Sequence, residues 1–168
     1  ADDAMVYTIA SNQVNKIRYL KAVRTLLIGT TGGEFSVTAD GTDAAVTPTN
    51  VTIKRQSSFG AANVDAQPAG NAVLFLQRAK RKIRELAYNY DSDGYVAPDL
   101  TILNETVTKS GVTEMAYQQS PDSILWCVRN DGVLSGLTYQ RTDNVVAWHR
   151  HILGGKSDTT KNIIQQQI

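Results

Sequence analysis

The sequence predicts an all-β protein made of about three β-propeller-like blades, each a four-stranded antiparallel meander. Two observations carry that expectation. The stretch "VLFLQRAKRKIRELAY" from Val73 and the stretch "ILWCVRNDGVLSGLTY" from Ile124 share one plan. In it Phe75 matches Trp126, Arg78 matches Arg129, Ile83 matches Leu134, Leu86 matches Leu137 and Tyr88 matches Tyr139. A weaker third copy, "LLIGTTGGEFSVTA", starts at Leu26, and a repeat spacing of about 50 residues is the mark of solenoids, propellers and arrays. The second observation is local: short runs rich in Val, Ile, Thr and aromatic residues alternate with Gly, Pro, Asn and Asp breaks along most of the chain.

The strands follow in order. Lys16 to Leu20, Thr25 to Thr30, Glu34 to Thr38 and Val51 to Arg55 make the first blade, with basic, Gly-Gly and Thr/Pro-rich breaks between them. Asn63 to Gln67, Ala72 to Gln77 and Lys82 to Asn89 start the second, with turns at "PAGN" and "RAKR" and a fourth strand expected around Asp99 to Leu103. Gly111 to Gln118, Ser123 to Arg129, Val133 to Gln140 and Asn144 to His151 make the third, whose turns "SPD", "NDG" and "RTDN" are rich in residues that tolerate tight conformations. The resulting division is a leading segment 1–15, blades at 16–55, 56–103 and 104–152, and a C-terminal tail or linker 153–168.

"AVLFL" and "ILWCV" are continuously apolar, where a half-exposed strand would alternate. Both are therefore expected to be covered on two faces, as inner strands of stacked blades are, while the more polar "NVTIKR" suits an outer strand. A Greek-key sandwich also buries strands locally but leaves the repeated hairpin unexplained. Propellers close with roughly four or more blades. Three blades thus point to a fragment of a larger propeller, to blades supplied from elsewhere, or to an open stack capped by the termini.

Composition narrows the class further. With 168 residues, 42% of them apolar and 20% charged, the chain can bury a core, so disorder is not expected over most of it. A net charge of +1 gives no global pull toward nucleic acid or membrane. No apolar run approaches the ~20 residues that cross a bilayer and no signal-like segment opens the chain, so a soluble protein is expected. Cys127 stands alone in an apolar run, which excludes a disulfide scaffold and suits a buried thiol. The first residue, Ala1, fits a processed chain or a piece of a longer one.

"YTIASNQVNKIRYL", "LLIGTTGGEFSV", "TPTNV", "QSSFGAANVDAQPAGNAVLFLQRAKRKIRELAYNYDSDGYVAPDLT" and "MAYQQSPDSILWCVRNDGVLSGLTYQRTDNVVAWHRH" occur in this order over Tyr7 to His151. Together they resemble the nozzle, or tail tubular protein B, group of short-tailed bacteriophages and prophages. The weight lies in the order and spacing of many segments, since none is a catalytic signature. The resemblance implies one section of a larger virion protein with a β-propeller portion. It also implies a cyclic assembly, typically of six copies, at the distal end of the tail, through which DNA leaves the particle. The implied role is structural and the location is the phage tail, after a soluble stage in the bacterial cytoplasm. Implied partners are other tail proteins (adaptor, fibres or spikes), copies of the chain in a ring, viral DNA in transient non-specific contact, and a host surface. Stable membrane insertion is not expected.

Arg78, Lys80, Arg81, Lys82 and Arg84 crowd one expected hairpin and face either DNA phosphates or solvent, a solvated turn being the simpler expectation. Neighbouring Glu85 dilutes their charge, and no platform of exposed aromatics accompanies them. His149 and His151 are two apart on a strand and share a face, yet no Cys or third His completes a metal site. Trp126 is expected in the core. Trp148, His149 and His151 are the candidate interface between subunits. "DSDG" from Asp91 to Gly94 lacks the spaced ligands of a calcium loop and reads as a turn. Tyr88, Tyr90 and Tyr95 lock loops or form a rim for a host glycan. That alternative makes the chain a propeller binding module for a surface glycan or another tail protein. Asp91, Asp93, Asp99 and Glu105 are the carboxylates a hydrolase would draw on, but no pair is placed by the sequence. No catalytic residue, metal or cofactor is expected.

Overall fold

The computed structural model describes residues 6–9, 15–40 and 44–152. Of the leading segment, 1–5 and 10–14 lie outside the described residues, and so does the whole 153–168 tail. The described chain forms three four-stranded antiparallel sheets in which each strand pairs with the next in sequence. Blade 1 holds β1 (Ile17–Ala22), β2 (Leu26–Thr30), β3 (Glu34–Thr38) and β4 (Thr52–Ser57). Blade 2 holds β5 (Gln67–Ala69), β6 (Ala72–Leu76), β7 (Ile83–Asn89) and β8 (Gly94–Val96). After a 3-10 turn at Glu105–Thr108, blade 3 holds β9 (Val112–Gln118), β10 (Ile124–Arg129), β11 (Leu134–Gln140) and β12 (Val145–His151). The three copies seen in the sequence fall on the second strand of each blade, β2, β6 and β10.

Blade 2 lies between the other two. Along β6, Val73 and Phe75 pack with Tyr19 and Leu27 of blade 1, while Leu74 and Leu76 pack with Leu125, Cys127 and Leu137 of blade 3. A strand turns alternate side chains to opposite faces, so one apolar run serves two cores. Every residue of β6 is buried, as continuous hydrophobicity requires. On β7, Leu86 joins the first core and Ile83 the second. The blades stack in one sense, with β5 beside β9 and β4 beside β8. Ion pairing from Lys21 to Asp65 and a hydrogen bond from Arg18 to Asn63 tie β1 to the chain just ahead of β5.

The run "ILWCV" departs from expectation. β10 alternates: Leu125 and Cys127 are buried toward blade 2, whereas Ile124, Trp126 and Val128 are half-buried on the opposite face. Among the described residues blade 3 has one covered face, since no described sheet lies beyond it. Trp126 is therefore not core, and Trp148, expected at an interface, packs against the core with its Nε1 donating to the Leu100 carbonyl at 2.8 Å. At the other end, Ile28, Phe35 and Val37 form the outer face of blade 1 with Val51 and Ile53, and Ile9 of the leading segment packs on them. The Tyr7 hydroxyl donates to the Pro48 carbonyl and fastens that segment to the β3–β4 connection.

Two strands of blade 2 lie elsewhere than expected. Asn63 and Asp65 are engaged by β1, so the first strand waits until Gln67–Ala69 and turns back at once through Gly70 and Asn71. The fourth strand is Gly94–Val96, not Asp99 to Leu103. Asp99 makes only an isolated bridge to Arg84, and its carboxylate accepts from the backbone and hydroxyl of Thr101, which bends the chain away. "DSDG" does form the turn between β7 and β8, where Asn89 Oδ1 accepts from the amides of Asp91 and Ser92.

Candidate functional site

The β6–β7 hairpin carries the basic cluster and is gripped from both neighbouring connections. Gln77 and Lys82 close it, the Lys80 amide donates back to the Gln77 carbonyl at 2.8 Å, and Lys80 sits at a φ of 60°. The Arg78 amide donates to Gly60, in the connection from blade 1. The Val112 amide donates to the Lys80 carbonyl at 2.8 Å, and the Thr108 hydroxyl donates to the Arg81 carbonyl, both from the approach to blade 3. The backbone of the hairpin is thus fixed while its side chains diverge.

The five cations divide into two groups. Lys82 reaches Asp99 at 2.8 Å and Glu105 at 3.6 Å, and the Asp99 hydrogen bond raises its pKa. Arg84 is half-buried: Nε donates to Gln77, Nη1 donates to the Ala97 carbonyl at 2.6 Å, and the guanidinium lies 3.4 Å from the Phe59 ring centroid. Burial lowers its pKa. These two are structural ties. Glu85 does not dilute the cluster; it is buried on the other face of β7 and pairs with Arg141 of blade 3 at 3.2 Å.

Arg78, Lys80 and Arg81 are exposed, and their side chains make no hydrogen bond or ion pair among the described residues. Lys80 and Arg81 line a cleft of about 290 Å³ with Ala79, Lys109, Ser110, Gly111, Val112, Thr113 and Asn130. Lys109 belongs to this group but escapes sequence reasoning, because only blade stacking brings it to the hairpin.

Trp126, His149 and His151 meet on the outer face of blade 3. Ring centroids are 5.8 Å apart for Trp126–His149, 5.0 Å for Trp126–His151 and 4.8 Å for the two histidines. His149 Nδ1 is 2.7 Å from His151 Nε2, and its Nε2 is 3.3 Å from the Thr138 hydroxyl. Burial, and then the neighbouring His151, lower the His149 pKa. Gly136 makes room for the cluster, since a Cβ there would meet His149 Cε1 at 2.2 Å. The histidines do share a face, but Trp148 turns to the opposite one, so the three residues of the candidate interface are not together. Among the described residues no group of three His, Cys, Asp or Glu side chains is placed to hold a metal ion.

Of the remaining polar candidates, Asp91 is exposed at the β7–β8 turn and the others are engaged in structure. Asp93 accepts from the Tyr88 hydroxyl, Asp99 is held by Lys82 and Thr101, and Glu105 faces Lys82. Tyr95 is buried between blades 1 and 2, while Tyr88 and Tyr90 stack on Arg24. Cys127 is buried, which pushes its thiol up to about 12. In the sequence Glu34 marks only the start of a strand, yet the residue is 0% exposed. Burial raises its pKa against hydrogen bonds from the Ser57 hydroxyl and the amides of Phe59 and Gly60.

The geometry defines a class: an all-β stack of propeller-like blades with a basic cleft at one blade junction and an aromatic–histidine cluster on an end face. Comparison with protein-family models and with curated proteins finds no match.

Proposed function

We propose that the chain is a structural section of a phage tail nozzle and forms part of the channel for DNA ejection. Support comes from the resemblance over Tyr7 to His151 and from one structural observation. The blades stack in one sense, and the end face of blade 3 still presents the half-buried Ile124, Trp126 and Val128, whereas Ile28, Phe35 and Val37 at the other end are buried with Ile9 of the leading segment packed on them. The blade 3 face suits a longer stack in which a further blade covers it. The virion tail is the proposed location, with adaptor, fibre or spike proteins and further copies of the chain as partners. Among the described residues no helix is long and apolar enough to cross a membrane.

A second reading draws on the half-exposed Trp126–His149–His151 cluster, whose mixed stacking and hydrogen-bonding surface suits a binding module for a host glycan or another tail protein. Immunogold electron microscopy with antibodies to this chain separates the two. Label at the distal end of a short tail on intact particles is the expected result. Unlabelled particles from cells that plainly express the protein would overturn the nozzle reading, and binding on a glycan array, lost in Trp126→Ala, would then favour the second.

A further inference from the structure

We infer that the cleft between the β6–β7 hairpin and the start of blade 3 is a binding site for a phosphate-type oxyanion. The inference is independent of the nozzle reading. It starts from the lining, which includes Lys80, Arg81 and Lys109 but neither Asp nor Glu. Of the cations elsewhere around the hairpin, Lys82 is matched by Asp99 and Glu105, Arg129 by Asp131, and Arg84 by Gln77, a carbonyl and an aromatic face, while Arg78 is exposed outside the cleft lining. The side chains of the three that line the cleft make no hydrogen bond or ion pair among the described residues. Three of the hairpin region's unpaired cations thus converge on one concavity and stay out of the surrounding ion-pair network.

The walls suit an oxyanion in shape as well as charge. Hydrogen bonds from the Val112 amide to the Lys80 carbonyl and from the Thr108 hydroxyl to the Arg81 carbonyl join blade 2 to the approach to blade 3, and the Asn130 amide donates to the Gly111 carbonyl at 2.9 Å within blade 3. They hold the roots of all three cations, so little backbone ordering remains to be done on binding. Gly111, at a φ of 85°, makes the turn between Lys109 and β9 and leaves no side chain in the cleft. The Asn130 carboxamide also lines it and makes no side-chain hydrogen bond, which leaves a neutral donor beside the charges. A guanidinium fork, two ammonium groups and an amide match the oxygens of a phosphate. A cleft of about 290 Å³ lies near the lower end of small-molecule sites, roughly 300 Å³, and so accommodates a phosphate with a small attached group. Free phosphate esters and the phosphodiesters of a nucleic acid strand present the same chemistry.

The test is an amide chemical-shift titration of the whole isotope-labelled chain, first with inorganic phosphate and separately with a short single-stranded oligodeoxynucleotide. Saturable shifts confined to Lys80, Arg81, Lys109, Gly111 and Asn130 are expected. Arg81→Gln and Lys109→Gln should each weaken binding about tenfold, the scale of one charged hydrogen bond. Lys54→Gln, an exposed lysine on β4, should leave it unchanged. Shifts with phosphate alone assign a free phosphate ester, and tighter binding of the oligonucleotide assigns a phosphodiester. No saturable shift with either ligand, equal shifts at exposed lysines throughout the surface, or an Arg81→Gln, Lys109→Gln double variant that binds like the parent would overturn the site. All three substitutions are at exposed positions, and the spectra themselves report whether each variant is folded.

Discussion

Phe75 and Trp126 fall opposite each other when the two copies are aligned without a gap, yet one is 0% exposed against blade 1 and the other lies half-buried on the end face of blade 3. The strands around them, "AVLFL" and "ILWCV", are equally apolar. Two things separate them: strand pairing matches Val73–Leu86 with Leu125–Leu137, so Cys127 rather than Trp126 takes the inward place of Phe75, and the face that carries Trp126 has no neighbouring sheet among the described residues. Burial in a stack is a property of position as much as of sequence, and each end blade keeps the hydrophobicity of an inner one.

The comparison can be broken most sharply at Phe75. Phe75→Ala should cost about 3–5 kcal/mol in urea unfolding, because it opens a cavity between two packed blades. A loss below that of Trp126→Ala would contradict the two-sided burial of β6.

Glu34, at the closed junction of blades 1 and 2, should give the largest pH effect. Its folded pKa is raised by burial, so the stability it contributes is full below about pH 4 and is lost as pH rises through the raised value. Glu34→Gln should remove that part of the slope in unfolding free energy against pH, and an unchanged slope would place the carboxyl in water.

The exposed counterpart is expected to respond less. Trp126→Ala should cost about 1 kcal/mol, since the ring gives up only part of its burial together with its contacts to the two histidines. Smallest of all should be the titration of His149, whose folded pKa is lowered by burial and His151. Its stabilising contribution is present above the unfolded value of about 6.5 and is lost as pH falls through the lowered one. Chemical denaturation near pH 7.5 and pH 5.5 should therefore show a smaller difference in His149→Gln than in the parent.

Strands with strong alternation or continuous apolar character, and turns such as "NDG" and "RTDN", were legible because local chemistry decides them. β5 and β8 were not. Each is three residues long, one contains Pro68, and their limits follow from where Asn63, Asp65 and Asp99 find partners in other parts of the chain. The basic hairpin was legible as a cluster but not in its division, which depends on Asp99, Glu105 and Phe59 approaching Lys82 and Arg84. Lys109 could be added only once blade 3 was set against blade 2. The exchange of roles between Trp126 and Trp148 has the same origin. Both lie on strands whose period is plain, but the covered face of an end sheet is chosen by its neighbour.

Because first strand lies beside first strand at the second junction and last beside last at the first, the front of one blade is always fitted to the back of the next. A contact of that kind joins two different surfaces and has no built-in stopping point. A duplicated blade inserted into such a series would need no new interface, only a copy of the two already in use. The end surfaces after insertion would be those present before it, so the design can lengthen by whole units without being redrawn.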